Sequence, residues 1–441
     1  MVLNVEIISK EMVKPSSPTP HHLKHHKLSF LDQFQPPVYI PFIFFYSYDQ
    51  LGYDGRVQKH QALKQSLSDT LTLFYPLAGR VKGNVVVDCN DNGVEYVEAQ
   101  VRAQLSQVIE NPNPEELEQY LSVEPWILIV SEILLSIQIT FFDCGGMAIG
   151  VCMSHKLGDG LSLVSFINSW AAKSRGDHSK ILGPIFDAAL HFPPRDSLEY
   201  TPTAAITKQD KIVTRRFVFD KSKIAALKEA ASSSQVKNPS RVEVVSAFIW
   251  RHFMEVVTQS QAKLKVDTQK IFLLIHMVNL RPKPSPPLPD HAFGNICWFT
   301  PPMLKLESPK DHHDLVSQLR GKIREINSDY VKKIQTGEEY LKLLNRSNEN
   351  QSTTVDTETF IFSSRCGFPL YEVDYGWGKP VWVCPPASPT KNRVTLMSTR
   401  SGDGIEAWVT MLEEDMVMFE NNHEILSLVP TLSVPQNPIV D

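Results

Sequence analysis

His155 is the residue best suited to do chemistry. It lies in Ser154-His155-Lys156-Leu157-Gly158-Asp159-Gly160, after the apolar run Met147 to Met153 and before a helix-like run from Leu161 to Trp170. An imidazole titrates near pH 6.5 when unperturbed, so at neutral pH it can take a proton from a hydroxyl and return it to a leaving group. The C-terminal end of a strand leading into a helix is also where sites in α/β folds commonly form. A general base is the expected role. Cys152 and Ser154 offer the rival chemistry, nucleophilic catalysis through a covalent intermediate. Neither sits in a Gly-x-Ser-x-Gly elbow, and neighbours on a strand point to opposite faces, so direct transfer is favoured. Asp159 directly precedes a helix made amphipathic by Leu161, Val164, Ile167 and Trp170, which suits an N-cap. Direct contact between Asp159 and His155 is the alternative.

The second informative string is Asp374-Tyr375-Gly376-Trp377-Gly378. With 7 Trp and 20 Gly in 441 residues, such a pentapeptide arises by chance in roughly one chain in ten thousand. Gly376 and Gly378 flank an indole just after Tyr371-Glu372-Val373, which reads as a strand, so the backbone must turn tightly there. Asp374 is a candidate functional carboxylate. Trp377 is either core or a source of an indole N–H for an oxyanion, a contribution worth about 2.7–4 kcal/mol.

The elements that must position these residues are of mixed type. Strand-like runs near 38–46, 84–88, 94–101 and 134–153 alternate with helical stretches near 56–74 and 160–174, which predicts α/β layers. His191 to Thr203 is rich in Pro and polar residues without a sustained period, as a linker would be. A strand from Lys211 to Phe219 and two amphipathic helices follow. The second helix starts at Ser240, a good N-cap, and places Val244, Phe248, Trp250 and Phe253 toward a core. The expected organisation is therefore a domain over 1–190, a linker over 191–211 and a second domain over 212–441.

Composition removes several function classes. The chain is 42% hydrophobic and 21% charged, with net charge −5, a globular balance that offers no basic face for nucleic acid. Glu6 interrupts any signal-peptide core, and no apolar run reaches the roughly 18 residues a membrane helix needs. The six scattered cysteines have no Cys-x-x-Cys spacing and read as reduced thiols of a cytoplasmic protein. His21, His22, His25 and His26 are crowded, with no carboxylate or Cys in pattern, so no metal is expected.

His155-x-x-x-Asp159-Gly160 with Asp374-Tyr375-Gly376-Trp377-Gly378 resembles the paired signatures of the BAHD acyltransferases. These plant enzymes move an acyl group from coenzyme A to an alcohol or amine. Tyr75-Pro76-Leu77-Ala78-Gly79-Arg80, Val278-Asn279-Leu280-Arg281, Pro286-Pro287-Leu288-Pro289, Gly294-Asn295 and Asp403 to Trp408 match further landmarks in order. The resemblance implies two chloramphenicol-acetyltransferase-like domains of mixed sheet and helices, with a channel at their interface. It implies an acetyl-CoA-dependent O-acetyltransferase acting on a polycyclic plant metabolite, a triterpenoid such as a limonoid or a monoterpenoid indole alkaloid, in a monomer. The alternatives are N-acylation of an amine and a silent ligand-binding member. Acetyl-CoA would be a co-substrate, with no cofactor beyond it. His155 would be the base, Arg281 would pair with Asp159, and the Asp374 motif would hold the fold off-centre. Lys237, Ser240, Arg241 and Asn295 would contact the donor's phosphoadenosine.

Three departures from the family pattern stand out. Tyr375 replaces Phe and adds a hydroxyl that needs a partner if buried. Ser364-Arg365-Cys366-Gly367 stands where Trp-x-Arg is usual. The run Glu124 to Leu128 is shorter than in relatives.

Overall fold

The computed structural model describes residues 4–47, 53–126, 132–195, 211–233, 236–264, 270–301, 303–305, 311–342 and 356–428. Most of the expected linker (196–210), Ile127 and Leu128, and the C-terminal tail from 429 lie outside the described residues.

Two large mixed sheets with their helices, and a small antiparallel sheet of His25–Lys27, Val86–Asp88 and Arg80–Lys82, form the described residues. The first has six strands in the order Val5–Val13, Val94–Val101, Leu135–Phe142, Met147–Ser154, Tyr39–Tyr46 and Trp382–Cys384. Its central strands are near-continuous apolar runs because both faces are covered: every residue of Tyr39–Tyr46, Leu135–Phe142 and Met147–Ser154 is buried. The run read as one strand over 134–153 is in fact a hairpin, Leu135–Phe142 against Met147–Ser154. It folds back through Asp143 to Gly146, where Gly145 takes a φ of 86° that favours glycine. Gly150 permits close approach to the next segment, since a Cβ there would fall 1.9 Å from the Tyr120 carbonyl oxygen.

The helices Tyr53–Leu73 and Gly160–Ser174 pack on this sheet. The Trp170 indole ties them together by donating to Leu63 O at 3.2 Å and Ser66 Oγ at 3.1 Å.

The second sheet has seven strands. The order along its main path is Cys297–Phe299, Lys270–Asn279, Asp356–Ser364, Arg393–Ser398, Ile405–Leu412 and Ile212–Phe219, and Met303–Lys305 also pairs with Lys270–Asn279. Helix Arg241–Leu264 covers it, with Val244, Phe248, Trp250 and Phe253 all buried. Ser240 closes a capping box: its Oγ accepts from Glu243 N at 3.1 Å, and Glu243 Oε2 accepts from Ser240 N at 2.7 Å.

One strand crosses between the halves. Trp382–Cys384 comes from the second half of the chain but pairs with Phe45, Phe44 and Ile43 of the first sheet. The stretch before it, Leu370–Glu372, is a short 3-10 helix and not the strand expected at 371–373. The Asp374 pentapeptide therefore docks on the first core, where Val373 and Tyr375 are buried.

Candidate active site

His155 sits in the turn after strand Met147–Ser154, its N–H bonded to Val38 O at 2.8 Å. Nδ1 lies 2.8 Å from Oδ1 of Asn295. The orientation of that carboxamide follows from its other contacts. Asn295 Nδ2 lies 2.7 Å from Asp32 Oδ1 and 2.7 Å from the His155 carbonyl, both of which only accept. The amide oxygen must then face Nδ1, so Nδ1 carries the hydrogen and Nε2 keeps its lone pair. Asp32 in turn accepts from Ser29 N at 2.8 Å, Ser29 Oγ at 2.6 Å and Asn295 N at 2.8 Å. Burial pushes the Asp32 carboxyl up, while these donors favour its charged form.

The His155 ring keeps some accessible surface, yet the protein around it excludes water. That burial lowers its pKa to about 4, against the raising effects of Asn295 and Asp159 and with a further lowering by Arg393. At neutral pH the ring is uncharged and Nε2 is free to accept a proton.

Asp159 is committed elsewhere. Its Oδ1 caps helix Gly160–Ser174 by accepting from Ser162 N at 2.9 Å. Arg281 grips both carboxylate oxygens, Nη1 on Oδ2 at 2.7 Å and Nη2 on Oδ1 at 3.0 Å. Ile296 N adds a bond to Oδ2 at 3.1 Å. Burial alone would raise this carboxyl, but the Arg281 charge and the bonds outweigh it and hold it below its usual value. Asp159 makes no hydrogen bond to His155 among the described residues. It couples the first half of the chain to the loop Gly294-Asn295-Ile296, which therefore touches both motif residues. A Cβ at Gly294, whose φ is 139°, would meet Ala188 Cβ at 2.9 Å.

The Asp374 pentapeptide lies away from this centre. Asp374 Oδ1 accepts from Gly376 N at 2.8 Å and Gly378 N at 3.0 Å, with Gly376 at φ 110° and Gly378 at φ 106°. Arg175 donates to Asp374 O, and Ser174 Oγ to Tyr375 O at 3.1 Å. Those partners end the same helix that Asp159 begins, and its 15 residues span about 22 Å. Strand Tyr39–Tyr46 gives a second measure: Tyr39 pairs with Ser154 at the His155 end, while Tyr46 packs on Tyr375 and Trp377.

Neither Asp374 nor Trp377 can reach an atom reacting at His155, so both leave the catalytic set. The Trp377 indole N–H finds no partner among the described residues; Lys59 Nζ lies over the ring at 5.1 Å. The Tyr375 hydroxyl is buried without a partner as well, against the expectation that it would find one.

Three of the four expected donor-site residues cluster at the start of helix Arg241–Leu264, and the fourth does not. Lys237 is exposed and Arg320 donates to its carbonyl at 2.8 Å; Ser240 is the helix cap; Arg241 donates to Gly402 O. Asn295 is fully buried beside His155, its amide occupied on both sides, so it offers nothing to a phosphate at the surface. Asp32 and Ser29 escaped the sequence reading altogether. Their one signal is the Ser-x-x-Asp capping box, which reports a helix start and not a site.

The nucleophile alternative loses ground. Burial drives the Cys152 thiol well above its ordinary range, keeping it protonated, and Ser154 is buried. The His21 to His26 cluster also stays apart from chemistry: His26 packs edge-on against Phe186, with ring centroids 5.3 Å apart. Among the described residues no group of three or more His, Cys, Asp or Glu is placed to hold a metal.

The geometry has relatives. A model of the transferase family matches residues 3–426. Stemmadenine O-acetyltransferase of Catharanthus roseus is 43% identical over 439 residues, covering 98% of this chain and 99% of that protein. Vinorine synthase of Rauvolfia serpentina is 43% identical over 97% of this chain and 99% of its own. Its crystal structure superposes with a TM-score of 0.83 at 42% identity, again covering 97% and 99% of the two chains. Limonoid 7-O-acetyltransferase of Citrus sinensis is 38% identical over 96% of this chain and 97% of its own. With the family match spanning nearly the whole sequence, the chain belongs to the BAHD acyltransferases, a family of two-domain enzymes.

Proposed function

We propose that this enzyme transfers an acetyl group from acetyl-CoA to a hydroxyl of a polycyclic plant specialised metabolite, an alkaloid or a triterpenoid of limonoid type. Acetyltransferases of this family use coenzyme A thioesters as co-substrates. The relatives named for stemmadenine, vinorine and limonoid chemistry support the acceptor class. The single observation that carries the chemistry is the His155 tautomer, Nδ1–H held by Asn295 with Nε2 free.

Nε2 takes the acceptor's proton as its oxygen attacks the thioester carbonyl. The tetrahedral adduct then collapses, the C–S bond breaks, and the imidazolium returns the proton to the leaving thiolate. Lys237, Ser240 and Arg241 are proposed to meet the donor's phosphoadenosine, supported by the exposed Lys237 and the half-buried Arg241 at that helix start. Action as a monomer in the cytoplasm is part of the same reading. The location is supported by six cysteines that are all unpaired.

The test is thiol release from acetyl-CoA with pooled alkaloid and triterpenoid alcohols, wild type beside His155→Ala, products read by mass. Acetylated product from wild type alone supports the reading. Equal turnover by the variant removes His155 as the base.

A further inference from the structure

Several arginines inside this fold meet carboxylates, whereas the half-buried Arg365 and Arg393 do not. Arg281 pairs with Asp159 at 2.7 Å, Arg216 with Glu406 at 2.7 Å and Arg320 with Glu243 at 2.8 Å. Arg365 and Arg393 have no carboxylate in ion-pair range among the described residues. Arg365 uses one of its five N–H donors, on Pro41 O at 3.2 Å, and lays its guanidinium over Phe42 at 4.5 Å. Arg393 lies over Trp126 at 6.0 Å, and its Nε is buried with no partner. Even partial removal of a guanidinium from water is unfavourable without a counter-charge. Burial, then the charge of Arg393, brings the Arg365 pKa down to about 10.

The two cations flank the strand start that positions His155. Arg393 pairs with Ile361 across adjacent strands, and Arg365 lies four residues beyond Ile361, so alternation puts both on one face of the second sheet. Their neighbours Val394, Leu396, Phe360 and Phe362 fill the opposite face as core, while Met397, on the arginine face, packs into the core of the first half. Arg365 reaches Pro41, three residues from Val38, whose carbonyl holds the His155 backbone N–H. That span is about 10 Å of strand. Trp126 sits next to Pro125, whose carbonyl accepts from Tyr39 N at 2.8 Å, and Tyr39 pairs with Ser154. Both arginines therefore flank the strand start that positions the base.

We propose that Arg365 and Arg393 form a carboxylate-recognition subsite beside His155, completed by an anionic group on the substrate. The carboxylate is carried either by the polycyclic acceptor or by a dicarboxylic acyl group on the donor. Two forked guanidiniums suit a planar carboxylate, and a desolvated site strengthens each charge-assisted bond. The inference rests on His155 as the reacting centre.

Binding and turnover are measured with two matched pairs. Oleanolic acid is compared with its methyl ester as acceptor, and malonyl-CoA with acetyl-CoA as donor. Affinity comes from calorimetry, so no turnover is needed to read it. Wild type is expected to bind the anionic member of one pair about tenfold or more tighter, and which pair it is identifies the source. Arg365→Gln and Arg393→Gln should each collapse that ratio, while Arg365→Lys and Arg393→Lys, which keep the charge, should retain part of it. Melting curves confirm that the variants fold. Equal affinity for both members of both pairs in wild type overturns the proposal, as does a preference that survives both glutamine variants. Anionic preference without turnover leaves the subsite standing and removes the acetyl-transfer reading; turnover without preference does the reverse.

Discussion

Asn295 Oδ1 stands 2.8 Å from His155 Nδ1, and the Asn295 amide nitrogen is pinned by Asp32 and by the His155 carbonyl. A side chain from the second half of the chain thereby sets the tautomer of the base in the first. Asn295→Ala removes the hydrogen bond that orients the ring. We expect kcat to fall about tenfold to a hundredfold, the equivalent of 1.5–3 kcal/mol, with KM for the acceptor little changed. Steady-state kinetics with both substrates varied checks this, and an unaltered kcat would show that the ring needs no such partner.

The low His155 pKa sets the pH dependence. Nε2 must be unprotonated to act, so kcat/KM should hold from neutral pH down toward 5 and fail only as pH approaches about 4. Stability shifts in the same direction. A histidine near 6.5 unfolded and about 4 folded binds more protons unfolded, so folding is favoured above 6.5 and that contribution drains away as pH falls toward 4. His26 and His312, likewise lowered to about 4 by burial, add to this loss. Rates and melting temperatures taken on the same samples separate the two effects. An acid limb centred near 6.5 with melting unchanged would contradict the desolvated base.

The Arg281–Asp159 pair has a different kind of consequence. Removing one partner leaves a buried charge alone, which costs about 3–5 kcal/mol. Arg281→Ala should lower the unfolding free energy, extrapolated from urea titration, by that amount. Asp159→Asn keeps the helix cap but leaves the Arg281 guanidinium charged and without its carboxylate, so its loss should be comparable. A collapse of turnover in Asp159→Asn with the unfolding free energy unchanged would place Asp159 in the chemistry and not in the scaffold.

How far the site was legible in the chain depends on sequence distance. The Asp159 cap, the helix it starts and the Ser240 cap are local patterns, and each is found where the periodicity places it. The turn at Asp143 to Gly146 was also local, and its paired glycines were a signal overridden by the apolar run around it. Asn295 is different. It stands 140 residues from His155 and 263 from Asp32, and only the sheet order brings the three together. The Asp374 pentapeptide shows the converse. Its rarity marks importance but not place, since a helix length separates it from the base. The Arg365–Arg393 pair was invisible for a simpler reason: what distinguishes these arginines is a missing partner, and sequence does not show who is missing.

The pentapeptide's distance from His155 is itself testable. Trp377→Phe should leave kcat within about twofold, because no donor is lost at an oxyanion. Tyr375→Phe removes a buried hydroxyl with no partner among the described residues, and should raise stability by about 1 kcal/mol. A kcat loss of a hundredfold in Trp377→Phe, with melting intact, would return the indole to the centre.

Asp32→Asn gives the sharpest test of the tautomer argument. The carboxylate of Asp32 accepts from Asn295 Nδ2, from Asn295 N and from Ser29. Oδ1 takes both bonds from Asn295 and Oδ2 both from Ser29, so an asparagine keeps its oxygen toward residue 295 and turns its NH2 to the Ser29 hydroxyl. The Asn295 amide then keeps its orientation, and Nδ1 keeps its hydrogen. The cost is a Ser29 N–H without an acceptor and the loss of the carboxylate charge. We expect Asp32→Asn to lower stability by about 1–3 kcal/mol, while its kcat falls less than that of Asn295→Ala. Nitrogen-15 chemical shifts of the ring report which nitrogen carries the proton. If Asp32→Asn moves the proton to Nε2 and turnover collapses, the Asp32 charge and not the Asn295 amide sets the tautomer.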